Sequence, residues 1–300
     1  MIVGFQISDK QDSVGPKRFL ERANKYCVMR DYGSRIVDLD ERNVDDALDV
    51  CTPSSIRDDK NIRIGCGIRK KWLLELSQSV GPCAKIAYLK NHPVGVIQFT
   101  PLQVVPYFRT DRKDALYIHC MYVREEHRKK GIGSALLGAL IDDVSRPNAL
   151  FDNESCSLIA TSARRVYGYS QVGLFKHKGF IRTKENPDVG LVLPLSSTAD
   201  TELGIPSSQP AVLKEQGVKI FFKPTCQYCK RTNERVVKAE IRKVNKGIPI
   251  EECNLWTCSE EAVRRRITCV ATYINGRPVP PLAPKKFSET LRRMASKPDN

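Results

Sequence analysis

The sequence predicts a two-domain α/β protein whose larger, N-terminal domain is a layered structure on a mostly antiparallel sheet. Three observations predict it. Apolar strand-like runs alternate with amphipathic helical stretches through the first two thirds of the 300 residues. A stretch rich in Ser, Thr and Pro, PLSSTADTELGIPSSQP from Pro194 to Pro210, has neither periodicity and reads as a linker. A second, shorter alternation then begins at VKIFFK. The expected divisions are an N-terminal extension over 1–33, a first domain over 34–195, a linker over 196–210 and a second domain over 211–300.

A helix is expected around Lys17–Cys27 and a strand from Ser34 (SRIVDL), followed by a helix that Asp40 or Asn43 could cap. In Arg69–Gln78, Trp72, Leu73 and Leu76 share one helical face. Ala84–Leu89 and Val94–Phe99 read as strands joined in a hairpin through Lys90-Asn91-His92-Pro93. Ala115–Val123, ALYIHCMYV, is apolar on both faces and so should be a central strand. A helix from Gly131 to about Val144 sets Ile132, Leu136 and Leu140 on one side. A strand at Cys156–Thr161, a helix near Gln171–Lys178 and a strand at Gly190–Leu195 complete the domain. In the second domain, the strand Val218–Lys223 leads into Cys226-Gln-Tyr-Cys229 and a basic helix to about Val244. A strand near Ile248–Cys253, a helix near Ser259–Arg266, a strand at Ala271–Ile274 with an Asn275-Gly276 turn, and a last helix near Phe287 follow.

The formal net charge is +15. Residues 211–300 carry 19 Lys and Arg against 9 Asp and Glu, two thirds of that excess. The basic residues are scattered along helices, and Arg264-Arg265-Arg266 is their one run of three in this domain, which favours solvated faces over a nucleic-acid surface. No apolar stretch approaches the roughly 20 residues of a membrane helix. The N-terminus turns polar after six residues, unlike a secretory signal, so a cytoplasmic location is expected. In a reducing compartment the eleven cysteines read as buried thiols, metal ligands or redox groups rather than disulfides, and only Cys226 and Cys229 form a local motif.

The most specific segment is Tyr122–Leu137, YVREEHRKKGIGSALL: the end of a buried strand, a short basic glycine loop, and a helix that begins at once. The first N–H groups of a helix lack internal acceptors and sit at its positive end, which suits a phosphate. A Walker loop would need Lys between Gly133 and Ser134, and a dinucleotide fingerprint would need Gly at Leu136. What remains, Arg128-x-x-Gly131-x-Gly133, resembles the pyrophosphate signature of the GNAT superfamily of N-acetyltransferases. The resemblance runs over about 34–195 and includes Gly173-Leu-Phe-Lys-His-Lys-Gly-Phe180, similar to the family's fourth helix and its closing Gly-Phe. The segments RKKWL, KIAYL, PVG and IHCMYV are also similar to YoaP-type acetyltransferases, which join a GNAT domain to a C-terminal extension.

The resemblance implies a GNAT-type mixed sheet flanked by helices, acetyl-CoA as cosubstrate and an amine as acceptor. It also implies that the backbone of Met121 and Val123 pairs with the pantetheine arm, and that Arg128, Lys129, Lys130, Gly131, Ile132, Gly133 and Ser134 hold the pyrophosphate. Many members use a Tyr of the fourth helix as general acid, where this chain has Phe175. Candidates for the missing proton-transfer group are His119, on the same side of its strand as Tyr117 and Met121 by the period-two rule, and Tyr169; Tyr167 and His177 lie nearby.

Cys-x-x-Cys after the first strand resembles the dithiol of thioredoxin- and glutaredoxin-like domains, with Cys226 favoured as thiolate by the helix start and by Lys223 and Lys230. Those domains place a cis-proline opposite the dithiol; here Val270 or Ala271 stands there. A redox dithiol able to meet a thiol partner, a metal site completed by Cys253, Cys258 or Cys269, and an inert structural role all remain open. The alternative to an acetyltransferase is a thiol-redox or metal-binding protein whose first domain binds CoA without catalysing transfer.

Overall fold

The computed structural model describes residues 34–162, 171–183, 190–205, 210–280 and 284–296. The expected helix at Lys17–Cys27 and the candidate Tyr169, with Tyr167, lie outside them.

The first sheet has seven strands: β1 (Ser34–Asp38), β2 (Ala84–Leu89), β3 (His92–Pro101), β4 (Ala115–Val123), β5 (Leu158–Thr161), β6 (Ile181–Arg182) and β7 (Leu191–Pro194). Their order is β1-β2-β3-β4-β5-β7-β6, and every pairing is antiparallel except β4 with β5. Lys90 and Asn91 turn β2 into β3, both with positive φ (49° and 63°), as a tight two-residue hairpin requires. Helices α1 (Val44–Val50) and α2 (Lys60–Val80) cover one face, where Val44, Ala47, Trp72, Leu73 and Leu76 pack on Ile86, Tyr88 and Val96. Helices α3 (Ile132–Val144) and α4 (Val172–His177) cover the other, packing Ile132, Leu136, Leu140 and Phe175 on Ile97, Phe99, Leu116 and Ile118.

Two elements differ from expectation. Helix α2 starts nine residues before Arg69, at Lys60, with the Asp59 carboxylate capping it by accepting from the Asn61 N–H at 2.9 Å. The short β6 pairs with the end of β7 and was not expected at all. Asn43 does precede α1, but its side chain accepts from the Asp40 N–H and makes no capping bond to the helix.

The second sheet has four strands, β8 (Val218–Phe222), β9 (Ile250–Asn254), β10 (Ala271–Ile274) and β11 (Arg277–Pro278), in the order β11-β10-β8-β9. β8 and β9 are parallel; β10 is antiparallel to β8 and to β11. Between β8 and β9 the chain forms α5 (Tyr228–Thr232), which passes through a π-turn (Asn233–Lys238) into α6 (Ala239–Arg242); α7 (Ser259–Arg264) and α8 (Pro284–Ser296) follow. The fold class is therefore mixed α/β in both parts.

The two sheets share a core. One apolar cluster joins Tyr107, Phe108, Tyr117, Ala160 and Val192 of the first part to Phe221, Cys253, Leu255 and Tyr273 of the second. Leu203 and Ile205, from the stretch between them, are buried in the same cluster. Leu203 is further tied down by its carbonyl, which accepts from Thr110 Oγ1 at 2.6 Å.

Candidate functional site

β4 pairs with β3 from Leu116 to Val123, interrupted at His119, but with β5 only from Ala115 to Ile118. Among the described residues no strand pairs with this edge of β4 from His119 to Val123, which leaves backbone groups there for an extended ligand. At Met121 the side-chain amide of Gln171 enters this gap and donates to the carbonyl.

Beyond Val123 the chain makes a 3₁₀ turn (Glu125–His127) and reaches α3 through Lys129 (φ 60°) and Gly131 (φ 82°). Glycine suits 131 because of this left-handed backbone and not for want of space, since a Cβ there would meet nothing within 4 Å. The first helical hydrogen bond runs from Ala135 N to Gly131 O at 2.9 Å, so the amides of Ile132, Gly133 and Ser134 precede it and have no acceptor within the helix. At Gly133 the limit is space, because an added Cβ would lie 3.2 Å from Leu174. Arg128 is held by its Nε, which donates to the Val123 carbonyl at 3.1 Å, and its guanidinium lies 5.3 Å from the centre of the Tyr122 ring.

These elements enclose a cavity of about 360 Å³ lined by residues 121–123, 127–129 and 131–134, and by Gln171 and Leu174. Of the residues the sequence nominates for the cofactor, it gathers all but Lys130, whose side chain is exposed in the loop. Tyr122, His127, Gln171 and Leu174 line it without having been nominated. The first two sit inside the nominated segment. The last two face it from α4 and the residue before that helix, where sequence alone shows only an amphipathic stretch.

Phe175 points away from this cavity. It is buried beneath α3 with its ring 4.9 Å from that of Phe180. His177 is exposed.

His119 is placed by a β-bulge. The β3–β4 register runs from Gln98 opposite Cys120 to Phe99 opposite Ile118, so His119 is the extra residue. This corrects the period-two expectation: His119 and Tyr117 face α2 and the second domain, whereas Met121 packs with α3. The imidazole sits among Trp72, Tyr117 and Trp256, with ring centres 5.5, 4.9 and 5.8 Å away. Its Nε2 is 3.0 Å from Thr100 Oγ1, and its buried Nδ1 has no hydrogen-bond partner. Burial and, second, the nearby Lys223 charge push its pKa well below the ordinary value, so the ring is neutral at pH 7.

Cys226 and Cys229 lie at the start of α5, where the second domain meets α1 and α2. The residues between them are locked into the first domain. Gln227 Nε2 donates to Thr52 Oγ1 at 2.9 Å and to the Leu48 carbonyl at 3.3 Å, its Oε1 accepts from Arg69 at 2.6 Å, and the Tyr228 hydroxyl donates to the Cys51 carbonyl at 2.8 Å. Cys226 is lowered to about 6, first by a hydrogen bond from the Cys229 thiol and then by the Tyr228 N–H and the Arg69 charge, against the opposing effect of burial. Cys253, by contrast, is buried on β9 and pushed up to about 12 by desolvation and then by Glu251. Among the described residues, no group of three or more His, Cys, Asp or Glu side chains is arranged to hold a metal ion, and none of the helices is long and apolar enough to cross a membrane.

Residues 47–167 match the Acetyltransferase (GNAT) family. No curated protein matches the chain in sequence. Among solved structures, the chain is similar to a GNAT family acetyltransferase from Brucella melitensis in complex with acetyl-CoA, at 11% identity and a TM-score of 0.37 over 57% of this chain and 93% of that one. It is similar to the ribosomal-protein-S18-alanine N-acetyltransferase of Escherichia coli at 13% identity and a TM-score of 0.35, over 56% of this chain and 98% of that one. A Pyrococcus horikoshii protein matches at 17% identity and a TM-score of 0.37 over 51% of this chain, which spans only 45% of that protein.

Proposed function

From the family match and the cavity it contains, we propose that this chain is an acetyl-CoA-dependent N-acetyltransferase acting on an amine. The observation that carries this reading is a single cavity in which the open edge of β4 leads to the bare N-terminus of α3. The amides of Ile132, Gly133 and Ser134, with Arg128 and Lys129 beside them, suit a pyrophosphate. An extended amide-bearing arm would then lie along 121–123, displacing the Gln171 amide that now occupies the Met121 carbonyl. The cosubstrate supplies the activated acyl group; the protein orients it and handles protons. The test is titration of acetyl-CoA into the intact chain. Saturable binding is expected, and its absence overturns the reading.

The amine must be neutral to attack. We assign its proton to His119, whose ring is neutral and carries an unpartnered Nδ1 at the bulge where β4 parts from β5. His119→Ala should lower turnover about 10²–10⁴-fold with acetyl-CoA affinity nearly unchanged. A loss below about threefold would return His119 to a packing role.

The four-stranded order of the second sheet, with parallel β8 and β9 and Cys226-x-x-Cys229 directly after β8, supports reading residues 211–300 as a thioredoxin-like module appended to the transferase, as in the YoaP-type arrangement. Phe175, buried where the usual acid would stand, favours the second reading, a thiol-redox protein whose first domain binds CoA without transfer.

A further inference from the structure

Among the described residues, four cations have less than a tenth of their surface exposed: Arg69, Lys85, Lys238 and Arg265. Three of them are neutralised. Lys85 pairs with Asp38 and Asp143, Lys238 with Glu234 and Glu252, and Arg265 with Glu215 and Glu261. Arg69, 1% exposed, has no such partner among these residues. Its Nη1 donates to the neutral Gln227 Oε1 at 2.6 Å, while Nε and Nη2 have no hydrogen-bond partner. The thiol held low in the second domain, Cys226, takes its hydrogen bonds from the Cys229 thiol and the Tyr228 N–H instead. A buried guanidinium stays charged, and a buried charge needs an anion bonded to it.

Further unpartnered polar atoms gather on the same side of the sheet. Trp72, one helical turn after Arg69 on α2, has no acceptor for its Nε1–H. Gln98, on β3, is 0% exposed, and neither its Oε1 nor its Nε2 is bonded. It stands between Val96, which packs with Trp72, and Thr100, which is bonded to His119, so it faces α2. His119 Nδ1 is the last of the set, its ring 5.5 Å from that of Trp72. Folded proteins leave few buried polar groups unpaired, and each exception calls for a reason. These sort by kind: Arg69 and Trp72 only donate, whereas His119 Nδ1 and Gln98 Oε1 can accept.

We propose that these atoms bind the acceptor, and that the acceptor is an amine with a carboxylate close to its nitrogen, as in an α-amino acid. The inference rests on the transferase reading and names its substrate class. The carboxylate takes the donors of Arg69 and Trp72, and the ammonium takes His119 Nδ1 and Gln98 Oε1. His119 faces α2 while Met121 packs with α3, so the amine meets the acyl arm from the opposite face, where β4 and β5 part. His119, Cys120 and Trp256 of the second domain each keep part of their surface exposed, so the site is not sealed. In the step proposed, the ammonium gives one proton to His119 Nδ1, its nitrogen bonds to the acetyl carbon, and the C–S bond breaks. The CoA sulfur leaves as a thiolate and takes the second proton that the nitrogen sheds. An amine with no acid group leaves Arg69 without its anion and should be a poor acceptor.

Trp72 and Trp256 are the two tryptophans of the chain, and their rings lie 5.2 Å apart beside His119, so intrinsic fluorescence reads this site. The common L-α-amino acids are titrated one by one into the intact chain, each beside its α-carboxamide, which keeps the amine and removes the negative charge. At least one acid should give a saturable change. Its amide should bind at least about tenfold more weakly, the factor that one charge-assisted hydrogen bond carries. Arg69→Gln should weaken the acid by a similar factor and leave the amide nearly unchanged, whereas a loss of packing would weaken both. Gln98→Glu has nearly the same shape but adds a negative charge, so it should also reject the acid. It decides the matter if Arg69→Gln does not unfold cooperatively on heating. No response to any acid, amides that bind as tightly as acids, or folded variants that bind the acid as wild type does would each overturn the site. Mass spectrometry of the same mixtures with acetyl-CoA separates this inference from the reading it rests on. Acid binding with no acetylated product would keep the site and remove the transferase. Acetylation confined to amines without an acid group would keep the transferase and remove the site.

Discussion

Gly131→Asp should abolish acetyl-CoA binding in a chain that still folds. Position 131 holds a φ of 82° beside open space, so a side chain meets no steric wall but carries a backbone penalty of about 1–2 kcal/mol for the left-handed conformation. The added carboxylate would project where Ile132, Gly133 and Ser134 present their amides, so it competes with the phosphates for the same donors and repels them. Hydrogen bonds to charged groups contribute about 1.5–3 kcal/mol each. Losing two of them is a drop of more than about 100-fold in affinity, since 1.4 kcal/mol is a factor of ten. Gly131→Ala separates the effects, because it keeps the backbone strain without the charge and should bind with intermediate affinity. Calorimetry on all three proteins checks this, and equal affinities would place the pyrophosphate elsewhere.

Deleting residues 196–300 should unfold the first domain or leave it aggregating rather than liberate an independent transferase. Tyr107, Phe108, Tyr117, Ala160 and Val192 would lose Leu203, Ile205, Phe221, Leu255 and Tyr273 as neighbours, and Trp72 and His119 would lose Trp256. Re-exposing a large apolar side chain costs about 1.5–3 kcal/mol, and a whole domain is stable by only about 5–15 kcal/mol. Four or five such exposures are enough. Asp59, which caps α2, would also lose its ion pairs with Arg231 and Arg235, each 2.9 Å away. Circular dichroism during heating decides between the outcomes. A cooperative transition in residues 1–195 close to that of the full chain would show that the two domains fold separately.

The strands, the helix after β4 and the glycine loop were legible because each obeys a local rule: period two, period 3.6, or a bare helix start. What escaped was tertiary. The bulge at His119 needs the register of β3 against β4, and without it the period-two rule put Met121 on the wrong face. Gly65 and Gly67 hid the first turns of α2, since glycine argues against a helix; the reason for Gly65 is the Gln227 backbone pressed against it from 162 positions further along the chain. Nothing in RKKWL sets Arg69 apart from its neighbours, yet it is buried while Lys70 and Lys71 are not. Phe175 could be aligned with a catalytic position, but only the packing of α4 shows that its ring belongs to the core and that Gln171 and Leu174 face the cavity.

The most direct test of the central proposal is transfer itself. The intact chain is incubated with acetyl-CoA and a panel of amines, polyamines and peptides, and acetylated product is detected by mass spectrometry. The account predicts an acetylated amine that forms with wild type, falls sharply with His119→Ala and is lost with Gly131→Asp. Tight binding of acetyl-CoA with no acetylated product from any acceptor would contradict it, and would leave a CoA-binding protein whose chemistry resides at Cys226.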